Sequence, residues 1–299
     1  IYPGLNGGGT EAVTYTLAKA LTRAGHDCIC FYESGAPDDT DKPYSNVYHI
    51  GYSDAYRQPV KEMLLENDTD VIINQHWQPN TVTGFLGGDS LGTDVKIYTA
   101  LHSMPGWEML SLAKNMRYNK KRGTKELVKR AIKMCSFPIY KSYYRSTTSK
   151  VYKQAIKDSS RQVLLSDRFR QDFIKAYGIP EDQHHKIRSV NNPLRFSTGI
   201  EPGAITDKKK IVLMVSRLDE VSKRITSALR IWKRVEASGM NDWRLVIVGD
   251  GPQEDLYKKL AAKLRLKQIG FEGRQDPLSY YREAALLMVT SAYEGWGMT

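Results

Sequence analysis

Ile211 to Lys223 reads I-V-L-M-V-S-R-L-D-E-V-S-K. Five consecutive apolar residues, Ile211 to Val215, predict a strand buried on both faces, as in a parallel sheet. Ser216 and Arg217 stand at its C-terminal end, and the spacing of Ile225, Leu229, Trp232 and Val235 predicts a helix from near Ser222. Open α/β sheets bind ligands at the carboxyl ends of their strands, and a helix N-terminus offers free N–H groups to an anion. A fork-shaped cation, Arg217, and a point-charge cation, Lys223, on either side of such a turn are placed to clamp a diphosphate. Two solvated surface charges would show the same spacing.

Further stretches follow in order. Trp243 to Val248 (W-R-L-V-I-V) predicts a second buried strand ending in Gly249-Asp250-Gly251-Pro252. Then come Ile269 to Arg274 (I-G-F-E-G-R), a strand over Leu286 to Thr290, and Ser291-Ala292-Tyr293-Glu294-Gly295-Trp296-Gly297. This ordered set resembles the C-terminal domain of the family 4 retaining glycosyltransferases. The resemblance implies the GT-B fold, an α/β architecture of two Rossmann-like parallel-sheet domains facing across a cleft. It implies that Arg217 and Lys223 hold the donor's diphosphate, that Glu294 is the first of two glutamates eight apart, and that Gly273, Arg274 and Gly295 belong to the donor site. The second glutamate would fall three residues past Thr299, and Ile1-Tyr2 reads as the end of a first strand, so both ends are expected to be truncated.

The composition suits two ordinary cores: 299 residues, 41% hydrophobic and 26% charged. No apolar run approaches the roughly 20 residues that span a bilayer. Cys28, Cys30 and Cys135 are too few and scattered for a disulfide framework or a zinc site, and read as thiols in a reducing compartment. The net charge of +11 is localised. Residues 111–157 carry fourteen Lys or Arg against one acid, Glu126, which leaves the remainder slightly acidic. Within this segment Leu127, Val128, Ala131, Ile132 and Cys135 predict an apolar helix face over Thr124 to Cys135, ringed by Lys125, Lys129, Arg130 and Lys133. Pro138 should break or kink that helix. Phe137, Tyr140, Tyr143, Tyr144 and Tyr152 then intersperse with bases, a pattern suited to anionic lipid headgroups or to simple solvation. No nucleic-acid-binding motif accompanies the charge.

At the N-terminal end, Tyr2 to Thr10 (Y-P-G-L-N-G-G-G-T) is a glycine-rich turn before a helix over Thr10 to Arg23. It is neither a dinucleotide fingerprint nor a P-loop. The resemblance places it by the donor phosphates, with Gly8 and Gly9 as the matching positions. His26 to Tyr32, Val47 to Ile50 and Asp70 to Asn74 predict strands, the last delivering His76 and Trp77 to a strand end. Val95 to Leu101 predicts a strong strand that delivers His102. A histidine after a strand is often structural; the resemblance makes His102 a hydrogen-bonding partner of the transferred sugar. Residues 1–195 form the expected N-terminal, acceptor-side domain and 208–299 the donor domain, joined by a linker over 196–207.

Sugar transfer from a nucleotide diphosphate requires a neutralised leaving group, an oriented sugar and excluded water. Arg217 and Lys223 answer the first need, Glu294 and His102 the second, and domain closure the third. Asp38-Asp39-Thr40-Asp41 has Asp-x-Asp spacing but lies in an expected loop far from the strand ends, so it is not read as a metal motif and metal independence is expected. Arg217, Lys223, Arg224, Trp232 and Asp242-Trp243 resemble bacterial enzymes that build capsule or lipopolysaccharide, which implies a UDP-hexose donor. A glycan or lipid-linked saccharide acceptor follows, at a cytoplasmic site peripheral to the membrane. A UDP-sugar 2-epimerase of GT-B fold, or a non-catalytic basic module binding membrane or nucleic acid, are the rival readings.

Overall fold

The structure is a computed structural model and describes residues 9–32, 43–50, 57–75, 95–118, 124–194 and 207–299. Gly8, His76, Trp77, the acidic stretch Asp38 to Asp41 and residues 196–206 of the expected linker lie outside them. The chain divides into two compact units: residues 1–110 with 121–195 and Met298, and residues 111–120 with 196–297 and Thr299.

Up to residue 195 the elements are α1 (Gly9–Arg23), β1 (Ile29–Tyr32), β2 (Asn46–His49), α2 (Arg57–Glu66), β3 (Val71–Asn74) and β4 (Lys96–Leu101). They continue with α3 (Trp107–Tyr118), α4 (Thr124–Cys135), α5 (Phe137–Asp158), β5 (Arg161–Leu164), α6 (Phe169–Tyr177) and β6 (Ile187–Ser189). After residue 207 come β7 (Lys209–Val215), α7 (Ile225–Ala237), β8 (Arg244–Val248), α8 (Glu254–Lys263), β9 (Ile269–Gly273), α9 (Leu278–Glu283) and β10 (Ala284–Leu287). Among the described residues two four-stranded sheets result, ordered β3-β4-β5-β6 and β10-β7-β8-β9, with β1-β2 as a separate pair. Every pairing is parallel.

Alternation along the strands builds the second unit's core. Val212 and Met214 of β7 and Leu245 and Ile247 of β8 point to one face, where Ile225, Ala228, Leu229 and Trp232 of α7 and Tyr257 of α8 cover them. Leu213, Val246 and Val248 point to the other, against Tyr280 and Tyr281 of α9. Each such aliphatic side chain contributes about 1.5–3 kcal/mol by leaving water. The Trp232 indole N–H donates to the Gln268 carbonyl (2.9 Å), so this large side chain is buried without an orphaned donor. Gly239, at φ +86°, ends α7 in the left-handed conformation that favours glycine.

In the first unit, Phe31, Ile50, Val60, Leu64, Ile72 and Ile97 form one cluster, and Leu101, Tyr152, Ile156, Leu164, Phe173, Tyr177 and Ile187 form another. The basic segment breaks between Cys135 and Phe137, at Ser136, as Pro138 requires. Much of the apolar side of α4 is uncovered: Val128 and Ile132 are 55% and 61% exposed, and Ile139 at the start of α5 is 75% exposed. Tyr152, expected on the outward aromatic face, is instead buried, because the C-terminal half of α5 packs against α6. Among the described residues no helix is long and apolar enough to cross a membrane.

The last turn of α5 is closed by one side chain. Lys186 donates from Nζ to the carbonyls of Ile156 (3.0 Å), Lys157 (2.8 Å) and Ser159 (2.9 Å). These are acceptors that a helix C-terminus leaves unpaired, at the negative end of its dipole. Lys186→Met should cost about 1–2 kcal/mol and speed amide exchange over the last turn of α5. Unchanged urea unfolding and unchanged exchange there would refute the cap.

Candidate active site

The site begins where β7 ends. The Ser216 amide donates to the Val248 carbonyl (3.0 Å) and the Leu218 amide to the Asp250 carbonyl (2.7 Å), so the Arg217 loop lies along the Gly249-Asp250-Gly251 loop after β8. Glycine is obligatory in this crossing. A Cβ on Gly249, whose φ is +136°, would sit 2.0 Å from the Ser216 carbonyl oxygen, and one on Gly251 would sit 2.6 Å from that of Leu218. The Gly249 amide in turn donates to the Gly273 carbonyl (2.7 Å), lacing in the loop after β9. Three consecutive strand ends are thereby fixed to one another. Arg217 projects from them exposed, with no hydrogen bond or ion pair to its guanidinium among the described residues. Arg274, just past β9, is also exposed.

From Asp219 to Arg224 the chain forms a turn held by its own acids. Asp219 accepts from the Val221 amide (2.9 Å) through one carboxylate oxygen and from the Ser222 hydroxyl (2.9 Å) through the other. Arg224 takes a left-handed conformation (φ +53°), and α7 starts only at Ile225, three residues later than its periodicity suggests. The N-terminus of α7 is also not the open anion site that the sequence implies. Buried Glu220 accepts from the Thr226 amide (3.0 Å) and from the Thr226 hydroxyl, which places a fixed negative charge at the positive end of the helix. An anion at this edge would therefore meet side-chain cations rather than a free helix N-terminus.

A second set of bonds joins this turn to the segment after β10. Thr290 donates from its hydroxyl to the Lys223 carbonyl (2.8 Å), and the Ala292 amide donates to the Ser222 carbonyl (2.7 Å). Lys223 Nζ reaches Glu294 Oε1 at 2.6 Å in a half-buried ion pair, and the Ser291 hydroxyl donates to the same oxygen at 2.5 Å. Two residues assigned separate partners from sequence thus bind each other. Gly295 follows directly. The strand itself, β10, ends at Leu287 rather than Thr290. Past it, the Met288 amide still donates to the Leu213 carbonyl (2.8 Å), and the chain then turns to make these contacts.

In the other unit, Gly9 opens α1 and His102 follows β4. Among the described residues neither ring nitrogen of His102 makes a hydrogen bond of ordinary geometry, although both are shut off from solvent and the Asn192 side chain lies near enough to act on the ring. Burial holds the imidazole down to about 4, only partly offset by the Asn192 side chain, so it is neutral at physiological pH. A network that sequence reasoning missed shapes its loop. The Gly106 amide donates to the Tyr177 hydroxyl (2.9 Å), which donates to Glu108 (2.9 Å), and Tyr152 donates to the same carboxylate (3.0 Å). Burial raises the Glu108 carboxyl above its ordinary range. A glutamate in the first turn of a helix reads as solvated in any sequence, so only the fold exposes this role.

The family model described as Glycosyltransferase Family 4 matches residues 7–194, and the one described as Glycosyl transferases group 1 matches residues 198–299. No curated protein matches the chain in sequence. Among solved structures, WaaG, a glycosyltransferase involved in lipopolysaccharide biosynthesis, is similar with a TM-score of 0.61 and 17% identity over 100% of this chain and 75% of that one. HepE of Anabaena in complex with UDP-glucose has a TM-score of 0.60 and 15% identity, over 97% of this chain and 73% of that one. TarM of S. aureus has a TM-score of 0.55 and 16% identity, over 80% of this chain; the match spans 41% of TarM's length. At these identities the likenesses speak for the fold, which is GT-B. With more than half of its length matched by one family model, the chain belongs to glycosyltransferase family 4.

Proposed function

We propose that the protein transfers a hexose from a UDP-hexose to a saccharide or lipid-linked saccharide acceptor, with retention of configuration, in the building of a bacterial lipopolysaccharide or capsule. The observation that carries this reading is the convergence, at the carboxyl edge of one parallel sheet, of Arg217, unpaired among the described residues, with the Lys223–Glu294 pair. HepE binding UDP-glucose, and WaaG acting in lipopolysaccharide biosynthesis, support the donor class and the pathway class.

In this mechanism the leaving UDP carries the charge that must be stabilised. The Arg217 fork and the Lys223 ammonium neutralise the diphosphate, which makes a divalent metal unnecessary. Glu294 accepts hydrogen bonds from sugar hydroxyls. A hydrogen bond from neutral His102 to the sugar would require its ring nitrogens, now shut off from solvent, to be uncovered, and its depressed basicity suits that role better than proton transfer. The acceptor oxygen bonds to the anomeric carbon on the face the leaving phosphate departs from, and the acceptor's proton passes to that phosphate oxygen.

Arg217→Ala and Lys223→Ala should each weaken UDP binding by about 1.5–3 kcal/mol, while Glu294→Gln keeps UDP affinity and loses turnover of the UDP-sugar. Calorimetry showing wild-type UDP affinity in both cation variants would dismiss the clamp. UDP release that needs an acceptor separates transfer from epimerisation.

His102 carries a pH signature. A group depressed from 6.5 to about 4 favours folding above its ordinary pKa, and that contribution is lost as pH falls through 6.5 towards 4. His102→Gln should therefore flatten the acid limb of stability between pH 6.5 and 4, and the rate profile should show no His102 inflection between pH 6.5 and 8. An unchanged acid limb would contradict a buried, neutral imidazole.

The basic segment 111–157 suits attachment to an anionic membrane face. Exposed Lys129, Lys133, Lys141, Arg145 and Lys150 share α4 and α5 with uncovered Val128, Ile132, Ile139 and Tyr143. Each base near such a surface contributes about 1 kcal/mol, and the apolar residues add shallow insertion. Sedimentation with vesicles containing anionic lipid, release by salt, and loss of binding when these five bases become Gln are expected. Equal sedimentation of wild type and variant would leave the segment a solvated face.

A further inference from the structure

Glu294 is held at one oxygen only. A carboxylate offers about four acceptor positions over two oxygens, yet Lys223 (2.6 Å) and Ser291 (2.5 Å) both donate to Oε1. Among the described residues Oε2 has no partner, and the side chain is one-third exposed.

The two donors differ in what else they must do. Lys223 has a flexible stem, and in the reading above it also serves the diphosphate, so it is divided between partners once a donor arrives. Ser291 has no competing duty and a fixed backbone. On one side of it Thr290 donates to the Lys223 carbonyl (2.8 Å); on the other the Ala292 amide donates to the Ser222 carbonyl (2.7 Å). Its short side chain therefore keeps its aim when the ammonium moves.

We infer that Ser291 is a positioning residue for Glu294: it anchors Oε1 so that Oε2 is the oxygen presented to the hydroxyls of the donor's hexose. The inference rests on the nucleotide-sugar reading proposed above. Ser291 does not itself meet the diphosphate, so its removal should affect recognition of the sugar and spare recognition of UDP.

The test uses the full chain, with UDP and UDP-glucose as probes in calorimetry. Ser291→Ala should leave UDP affinity unchanged while weakening UDP-glucose about fivefold to tenfold, the worth of roughly one misdirected hydrogen bond. Ser291→Thr, which keeps the hydroxyl, should restore most of that loss. In a Glu294→Gln background, Ser291→Ala should add less than about twofold, because its effect passes through the same carboxylate. Equal loss of UDP and UDP-glucose in Ser291→Ala would mark Ser291 as a structural brace of the Lys223 turn and overturn the inference. An additive double variant would overturn it as well. If Glu294→Gln lowers the preference for UDP-glucose over UDP and Ser291→Ala does not, the inference alone falls. If the wild type fails to bind UDP-glucose, or Glu294→Gln leaves that preference intact, the sugar role of Glu294 falls and this inference falls with it.

Discussion

Parallel pairing of β10 with β7 brings Lys223 and Glu294, 71 residues apart in the chain, to one sheet edge. The arrangement of side chains along that edge depends on this adjacency. Parallel strands all point their carboxyl ends the same way, so their loops crowd one rim while their side chains fill a core on each face. Here β7 and β8 supply the rigid floor, since both are covered on both faces. The loops above are tied by backbone hydrogen bonds at Ser216, Leu218 and Gly249 and by the Thr290 and Ala292 bonds to the Lys223 turn. Rigid placement of this kind is what a charge clamp requires, because a cation that must be ordered on binding returns less of its Coulomb energy as affinity.

The charges at the rim are arranged unevenly. Lys223 is satisfied by Glu294, and the pair presents little net charge to an approaching anion. Glu220 adds a buried negative charge at the start of α7. Arg217 alone stands with an unshared positive charge among these groups. The guanidinium is therefore the more available of the two cations to an anion approaching this rim. Across the chain, His102 shows the complementary strategy. It is kept uncharged by burial, with the loop after it fixed by the Gly106–Tyr177–Glu108 bonds.

What the sequence revealed follows from where each element is buried. β7 and β8 are legible as unbroken apolar runs because they lie inside the sheet, and Arg217 is legible as a cation directly after such a run. β10 is harder: it is an edge strand whose Leu286 and Leu287 are half exposed, and its expected span was displaced towards Thr290. The late start of α7 was invisible because Glu220 and a left-handed Arg224 override the periodicity of the helix. Tyr152 and Glu108 were misread or passed over for one reason: a helix pattern tells which residues share a face but not which neighbour will cover it. The Lys223–Glu294–Ser291 contact belongs to the same class, since no local spacing encodes a meeting between two strand ends.

The crossing of the Arg217 loop over Gly249 and Gly251 restricts how this site can diversify. At both positions the space for a β-carbon is already filled by backbone carbonyl oxygen, and backbone cannot retreat as a side chain can. Mutational drift, or a library built to alter donor preference, finds this floor closed to variation. The freedom left to the rim lies at exposed positions such as Trp296, where a change of shape need not unseat the loops beneath.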